Sequence, residues 1–435
     1  MTDDHSGRSF DIPSAPASRG RIFAWTLFDF ANTAFSVIIV TVIFSRYFTN
    51  QVADGRRWLW GLAVSLSMIC AAALSPPLGA AADFSRNRKR FLFLFTLASV
   101  LCTALMFFVQ SGMILTGVFL FVVANIGFEG GLVFYDAFLP GLTARSSYGR
   151  VSGYGFAMGY VGALVVLLIV MLILPPQNDP SYLFHVRLSF VVAAAFFLVF
   201  SLPMFLFVPE PPVSATPPPS IIKAGLSRSA ATFRSLFVRH EYPSIARFLI
   251  AFFIFNDGIL TVIAFAAIFA DRVLHMGDAD IIAFFAIVQT SAIVGSLVFG
   301  VITDKLGPKK TISLTLFIWI AISIGAYFVT TVFVFYIVAL GAGIAIGSSQ
   351  SASRSMMALL TPKNHEAEFF GFYDGLCGKA SAVIGPLVYG IIADLTNERF
   401  GALAIGGFFV AGLIILQGVE EPQKLNVPPP ATSHL

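Results

Sequence analysis

Charge is scarce in this chain. Only 11% of its 435 residues are Asp, Glu, Lys or Arg, where a soluble domain carries roughly 25%. That deficit argues against a soluble multi-domain protein. Cysteine is almost missing: Cys70, Cys102 and Cys377 sit in apolar stretches without metal-ligand or redox spacing. Histidine is equally sparse, and His5, His185, His240, His275, His365 and His434 fall in tails, loops or span ends. No Ser-His-Asp set, metal cluster or phosphate loop can be assembled, so neither an enzyme nor a metal or cofactor protein is expected. Met1–Gly20 is polar and lacks an apolar core before Ile22. It reads as a tail and not as a cleavable signal. The net charge of +4 is small and is not read as nucleic-acid binding.

What is abundant is apolar sequence. Hydrophobic residues make up 57% of the chain and Phe alone contributes 47. Apolar segments of about 20 residues, enough to cross a ~30 Å hydrocarbon core, recur from Ile22 to Val419. The pattern predicts twelve spans, at 22–49, 58–82, 91–110, 113–144, 150–174, 183–208, 244–272, 280–303, 309–329, 331–360, 366–393 and 399–418. Helices suit this role because each satisfies its own backbone in lipid. Of the 27 basic residues, Arg46, Arg56, Arg57, Arg187, Arg272 and Arg399 fall on one side, and Arg354 and Lys379 fall inside spans. The rest lie on the side of the N-terminus, which predicts that both termini are cytoplasmic.

One polar connection divides the chain. Pro209–Tyr242 opens with prolines, including Pro217-Pro218-Pro219, and continues with basic and apolar residues mixed over Ser220–His240. That mixture fits either a helix on the inner leaflet or a flexible linker. The expected organisation is a tail at 1–21, a six-helix half at 22–208, a linker at 209–243, a second half at 244–419, and a tail at 420–435 that is disordered from Gln423.

The two halves share a signature. Gly79-Ala-Ala-Ala-Asp83 precedes Arg86, Arg88, Lys89 and Arg90, and Gly300-Val-Ile-Thr-Asp304 precedes Lys305, Lys309 and Lys310. The same offset of 221 residues separates Gly79 from Gly300 and Asp83 from Asp304. The pair resembles the loops after the second and eighth helices of major facilitator superfamily transporters. The resemblance implies an all-α integral membrane protein with twelve transmembrane helices in two pseudo-symmetric six-helix halves. A carboxylate at such a helix end can hold the positive N-terminus of a helix across the half-interface, or an Arg. Gly79, Asp83, Arg86, Asp136, Gly300, Asp304, Gly307 and Lys309 are thus expected to form a conformational gate. The first copy departs from the family pattern, with Asn87 where a second Gly is usual; the second copy keeps Gly307.

Ionisable residues inside spans are costly and are functional candidates by default. The first span holds Asp29 and Asn32, and the seventh holds Asn256 and Asp257 at a corresponding place. They read either as a substrate or proton site at the half-interface, or as carboxylates tethering neighbouring helices. In the fourth span Asn125 and Glu129 share a face. In the tenth, Gln350 and Arg354 do the same. A guanidinium there keeps its proton and needs an acidic partner or an anionic ligand. Lys379, with Asp374 nearby, raises the same question in the eleventh span, and Gln289 is a milder candidate in the eighth. Arg354 or Lys379 holding a substrate carboxylate, with Asp257 meeting an amine, would suit a zwitterion. Glycines at 153, 155, 159 and 162, and from Gly371 to Gly390 with Gly385-Pro386, are helix-packing material.

Three stretches carry a narrower resemblance: Phe28-Asp29-Phe30-Ala31-Asn32-Thr33-Ala34-Phe35, Phe255-Asn256-Asp257-Gly258, and Gln350-Ser-Ala-Ser-Arg354 with Glu366-Ala-Glu368-Phe-Phe-Gly-Phe-Tyr373. They are similar to the branch that includes the autophagy-related vacuolar effluxer of fungi. That branch is associated with moving amino acids out of the vacuole, which implies amino-acid efflux here. The expectation is a secondary transporter of a small solute working by alternating access in the plasma membrane, with protons and membrane lipids as its other partners, as a monomer. Lipid or drug export is a second reading, suited to Phe-rich walls. A non-transporting receptor or scaffold is a third.

Overall fold

The computed structural model describes residues 18–210 and 220–421, and every regular element in it is helical. The tail before Ser18, the run Pro217-Pro218-Pro219 and the tail from Gln423 lie outside the described residues. Among the described residues, eleven helices are long and apolar enough to cross a membrane. They are Arg19–Val52, Arg57–Ser85, Arg88–Phe108, Ile114–Asp136, Arg145–Ile173, Tyr182–Phe207, Pro243–Leu274, Ala283–Leu306, Pro308–Phe328, Val332–Leu360 and Glu398–Gln417. The eleventh of the twelve crossings is the broken one, at 366–395. It runs through Glu366–Phe370, a π-helical Gly371–Gly378 and a break at 381–383 before Ile384–Leu395.

Two other spans depart from the expected regular helices. In the first, Phe35–Val42 and Phe48–Val52 are π-helical, and Ile43 N–H donates five residues back to the Ile38 carbonyl. The fourth was expected over 113–144, but its helix stops at Asp136. The next turn, Leu139–Leu142, contains Pro140, which has no N–H to continue the ladder.

Matching devices tie each half together. Glu210 accepts from Lys89 N–H at 3.0 Å, and Lys89 Nζ donates to the Val208 carbonyl. Glu421 accepts from Lys309 N–H at 2.6 Å, and Lys309 Nζ donates to the Gln417 and Val419 carbonyls. In both halves the end of the sixth helix thus caps the third. Burial raises the Glu210 carboxyl above its ordinary range, against the pull of the Lys89 N–H.

Between the halves lies a helix, Ile221–Phe237, whose Ser220 side chain accepts from Lys223 N–H. It is neither a flexible linker nor a helix resting on lipid alone. Gly225 packs against the Pro77 carbonyl of the second span, and Phe233 meets Phe372 of the eleventh. The helix therefore straddles both halves on the face that carries the paired loops, called here the basic face.

Candidate functional site

The halves enclose a cavity of about 580 Å³, within the ~300–1,000 Å³ common for small-molecule sites. Its lining comes from the first, second, fourth and fifth spans of one half and from the seventh, eighth, tenth and eleventh of the other. Small residues let these helices approach. A Cβ on Gly153 would lie 2.3 Å from the Ser296 carbonyl oxygen, and one on Gly155 would lie 2.5 Å from an Asp29 oxygen. Gly155 thus leaves room for an ion pair.

Arg354 is that pair's cation. Its Nη1 donates to Asp29 Oδ2 at 3.1 Å. Its Nε lies 3.0 Å from Asp136 Oδ1, an ion pair without a hydrogen bond's alignment. Tyr135 Oη donates to Asp29 Oδ2 at 2.8 Å. The guanidinium sits 3.8 Å from the Phe156 ring centroid, with Trp25 and Tyr135 each at 5.5 Å. Arg354 is only 3% exposed, so its two carboxylates and three rings replace water.

Lys379 forms a second cluster. Its ammonium pairs with Glu129 of the opposite half and lies 3.3 Å from Asp374 Oδ2. Around the two clusters, Asn32 donates to Asp29, Tyr160 donates to Gln350 Oε1 at 2.5 Å, and Asn256 donates to Ser381 Oγ at 2.6 Å. Gln289 also lines the cavity.

Two candidates lie elsewhere. Asp257 is fully buried, and both its carboxylate oxygens accept from Gly385 N–H at 2.9 Å. It caps the helix that restarts after the break in the eleventh span, the tethering alternative for this carboxylate. Asn125 donates to Ser67 Oγ at 2.8 Å and joins the fourth span to the second. Neither residue is part of the cavity lining.

The basic face is closed by contacts between halves. Asp83 accepts from Ala367 N–H at 3.1 Å and Glu368 N–H at 2.8 Å. Asp304 accepts from Gly149 N–H at 2.8 Å and Arg150 N–H at 3.3 Å. Each carboxylate therefore caps a helix of the other half. Gly79 and Gly300 mark the close approaches, against the carbonyls of Ala367 and Gly149.

Other gate candidates have different places. Asp136 belongs to the Arg354 cluster in the cavity. Lys309 is engaged within its own half, and Gly307, at φ +90°, makes room for Glu421. Arg86 closes its helix in the left-handed region at φ +51°, and the cation bridging Asp83 to Glu366 is Arg88. Sequence reasoning missed Glu366 and Glu368 as gate partners, although the motif around them was visible. It also missed Arg228, which bonds Glu368 at 3.0 Å. No spacing rule connects a linker residue to a span that far along the chain.

The profile of the Atg22-like vacuole effluxer family matches residues 60–426. The chain belongs to this family. A relative in Bacillus subtilis, named as an uncharacterized MFS-type transporter, YxiO, is 30% identical over 93% of this chain and 96% of its own. Autophagy-related protein 22 of Yarrowia lipolytica is 24% identical over 83% of this chain and 75% of its own. Among solved structures, the human organic anion transporter MFSD10 superposes with a TM-score of 0.74 at 14% identity, over 92% of this chain and 99% of that one. That likeness concerns the fold. This member is thus a multi-pass major facilitator transporter, not an enzyme, with twelve crossings in two six-helix halves.

Proposed function

We propose that the protein is a proton-coupled secondary transporter that exports small amino compounds, amino acids among them, across the plasma membrane. The observation that carries this reading is the cavity at the half-interface, lined by charged groups from both halves and sealed on the basic face. Segregation of Lys and Arg supports a cytoplasmic position for the basic face and both termini. The conformation described is then closed to the cytoplasm. Working units are the halves at 22–208 and 244–419 with the connector at 209–243, acting as a monomer within its lipid shell. Substrate binding and release proceed by rocking the halves about the cavity. Carboxylates such as Glu129 and Asp29, which line the cavity beside Lys379 and Arg354, are the groups suggested to carry protons.

The test is counterflow. Liposomes carrying the purified protein and preloaded with an unlabelled amino-acid mixture should accumulate the labelled mixture above protein-free liposomes. No accumulation by folded protein would remove the amino-acid assignment. It would favour lipid or drug export, for which the cavity-lining Phe128, Phe156, Phe252 and Phe255 supply an apolar surface.

A further inference from the structure

The cavity lining holds four carboxylates and two cations. Asp29 and Asp136 both face Arg354, while Glu129 and Asp374 both face Lys379. Each cluster therefore contains one carboxylate more than its cation balances. A buried surplus charge is expensive unless something neutralises it. Two agents can do so: a proton or a positively charged solute.

The same arithmetic disfavours an anionic group at either cation. Arg354 already has two carboxylates beside it, and a substrate carboxylate would be a third negative charge in the same place. Lys379 is in the same position. Asp257 is not placed for the amine role either: it is fully buried, caps Gly385 N–H and lies outside the cavity lining. The aromatic wall adds an attractive element: the Phe156 ring already seats the Arg354 guanidinium at 3.8 Å, which shows that cations are at home there.

We propose that the substrate is an organic cation bearing an ammonium or guanidinium group, and that it competes with protons for the two surplus carboxylates. Transport is then an exchange: the cation leaves when protons arrive, and protons leave when the cation returns. Mutual exclusion at one site is enough to couple the two fluxes. This inference rests on the transport reading above and narrows its amino compounds to those with a net positive charge, leaving out neutral and acidic amino acids.

The experiment uses the full chain in liposomes with labelled agmatine, leucine and glutamate, read between about pH 6 and pH 8. Agmatine should be taken up saturably, with its apparent affinity weakening by up to about tenfold for each pH unit that the pH falls, per competing proton. Its uptake should carry protons out of the lumen, read as alkalinisation by a trapped pH-sensitive dye. Leucine and glutamate should neither compete nor move protons. Asp374→Asn, which leaves Glu129 to pair with Lys379, should weaken agmatine about tenfold and flatten the pH dependence. Saturable uptake of leucine or glutamate with agmatine ignored overturns the cation class but leaves transport standing. Agmatine uptake without that alkalinisation overturns the exchange. If none of the three is taken up, the cation class is overturned, and the mixed amino-acid counterflow decides whether the transport reading falls with it.

Discussion

Asp83 and Asp304 stand 221 residues apart at matching places in the two halves, and both cap a helix of the opposite half, yet the locks they make differ in depth. Asp83 is 5% exposed and also binds Arg88 Nε at 2.6 Å, while Arg88 reaches on to Glu366. Behind them Glu368, fully buried, is held by Arg228 at 3.0 Å and Thr232 at 2.6 Å from the connecting helix. Asp304 has Arg150 Nε at 2.6 Å, but that arginine's side chain is 47% exposed. One lock is a buried network and the other a capped helix with a solvated ion pair. The reason lies in chain topology. A repeated half carries its loop twice, but the connector between halves exists once, and it lands beside the first loop. The two loops are thus unequal gates, and the Asp83 side should hold the basic face shut more strongly.

The comparison yields a ranked series. The readout is solvent labelling, from the basic face, of a cysteine placed in the cavity. Asp83→Ala should have the largest effect, costing the closed state about 3 kcal/mol, because it strips both cap hydrogen bonds of a helix and unbalances a buried pair. An effect no larger than that of Asp304→Ala would break the comparison. Arg228→Ala leaves the buried Glu368, among the described residues, with Thr232 and His365 as side-chain partners and should cost about 2 kcal/mol. If it matches the wild type, the connector does not brace the lock. Asp304→Ala likewise removes two cap hydrogen bonds, from Gly149 and Arg150 N–H, but the ion pair it breaks is solvated, so it should cost about 1 kcal/mol. Arg150→Ala should come last, below about 1 kcal/mol and vanishing at high salt, since an exposed pair is screened. A salt-insensitive loss there would mean that the second lock is more buried than its arginine suggests.

The fold was largely open to reading. Apolar run length, basic-residue segregation and the repeated Gly-to-Asp loop all report local chemistry that a single sequence displays. So did the charged residues of the cavity, because a charge inside a span stands out against its neighbours. What stayed hidden were the partners. Asp257 looked the more functional of the pair with Asp29, being nearer the middle of its span, and both are carboxylates amid Phe in corresponding spans. Only the break in the eleventh span, which frees Gly385 N–H, makes one of them a cap. Gly385 there packs closely on Thr261 and Asp257 of the seventh span, a contact that residue spacing does not encode. Arg86 and Arg88 are likewise basic residues two apart; the chain turns through the left-handed region at Arg86, and Arg88 is the one bonded to Asp83.

The central claim is that the halves rock about the cavity and that the described state is the one closed on the basic face. The most direct measurement is a pair of spin-label distances in a protein whose three cysteines have been replaced. One pair, Ser146 and Lys310, spans the halves on the basic face; the other, Asp54 and Thr396, spans them on the opposite face. Under conditions that drive exchange in liposomes, the account predicts that the basic-face distance lengthens as the opposite one shortens. Two distances that stay fixed, or that change together, in protein shown to transport would contradict it.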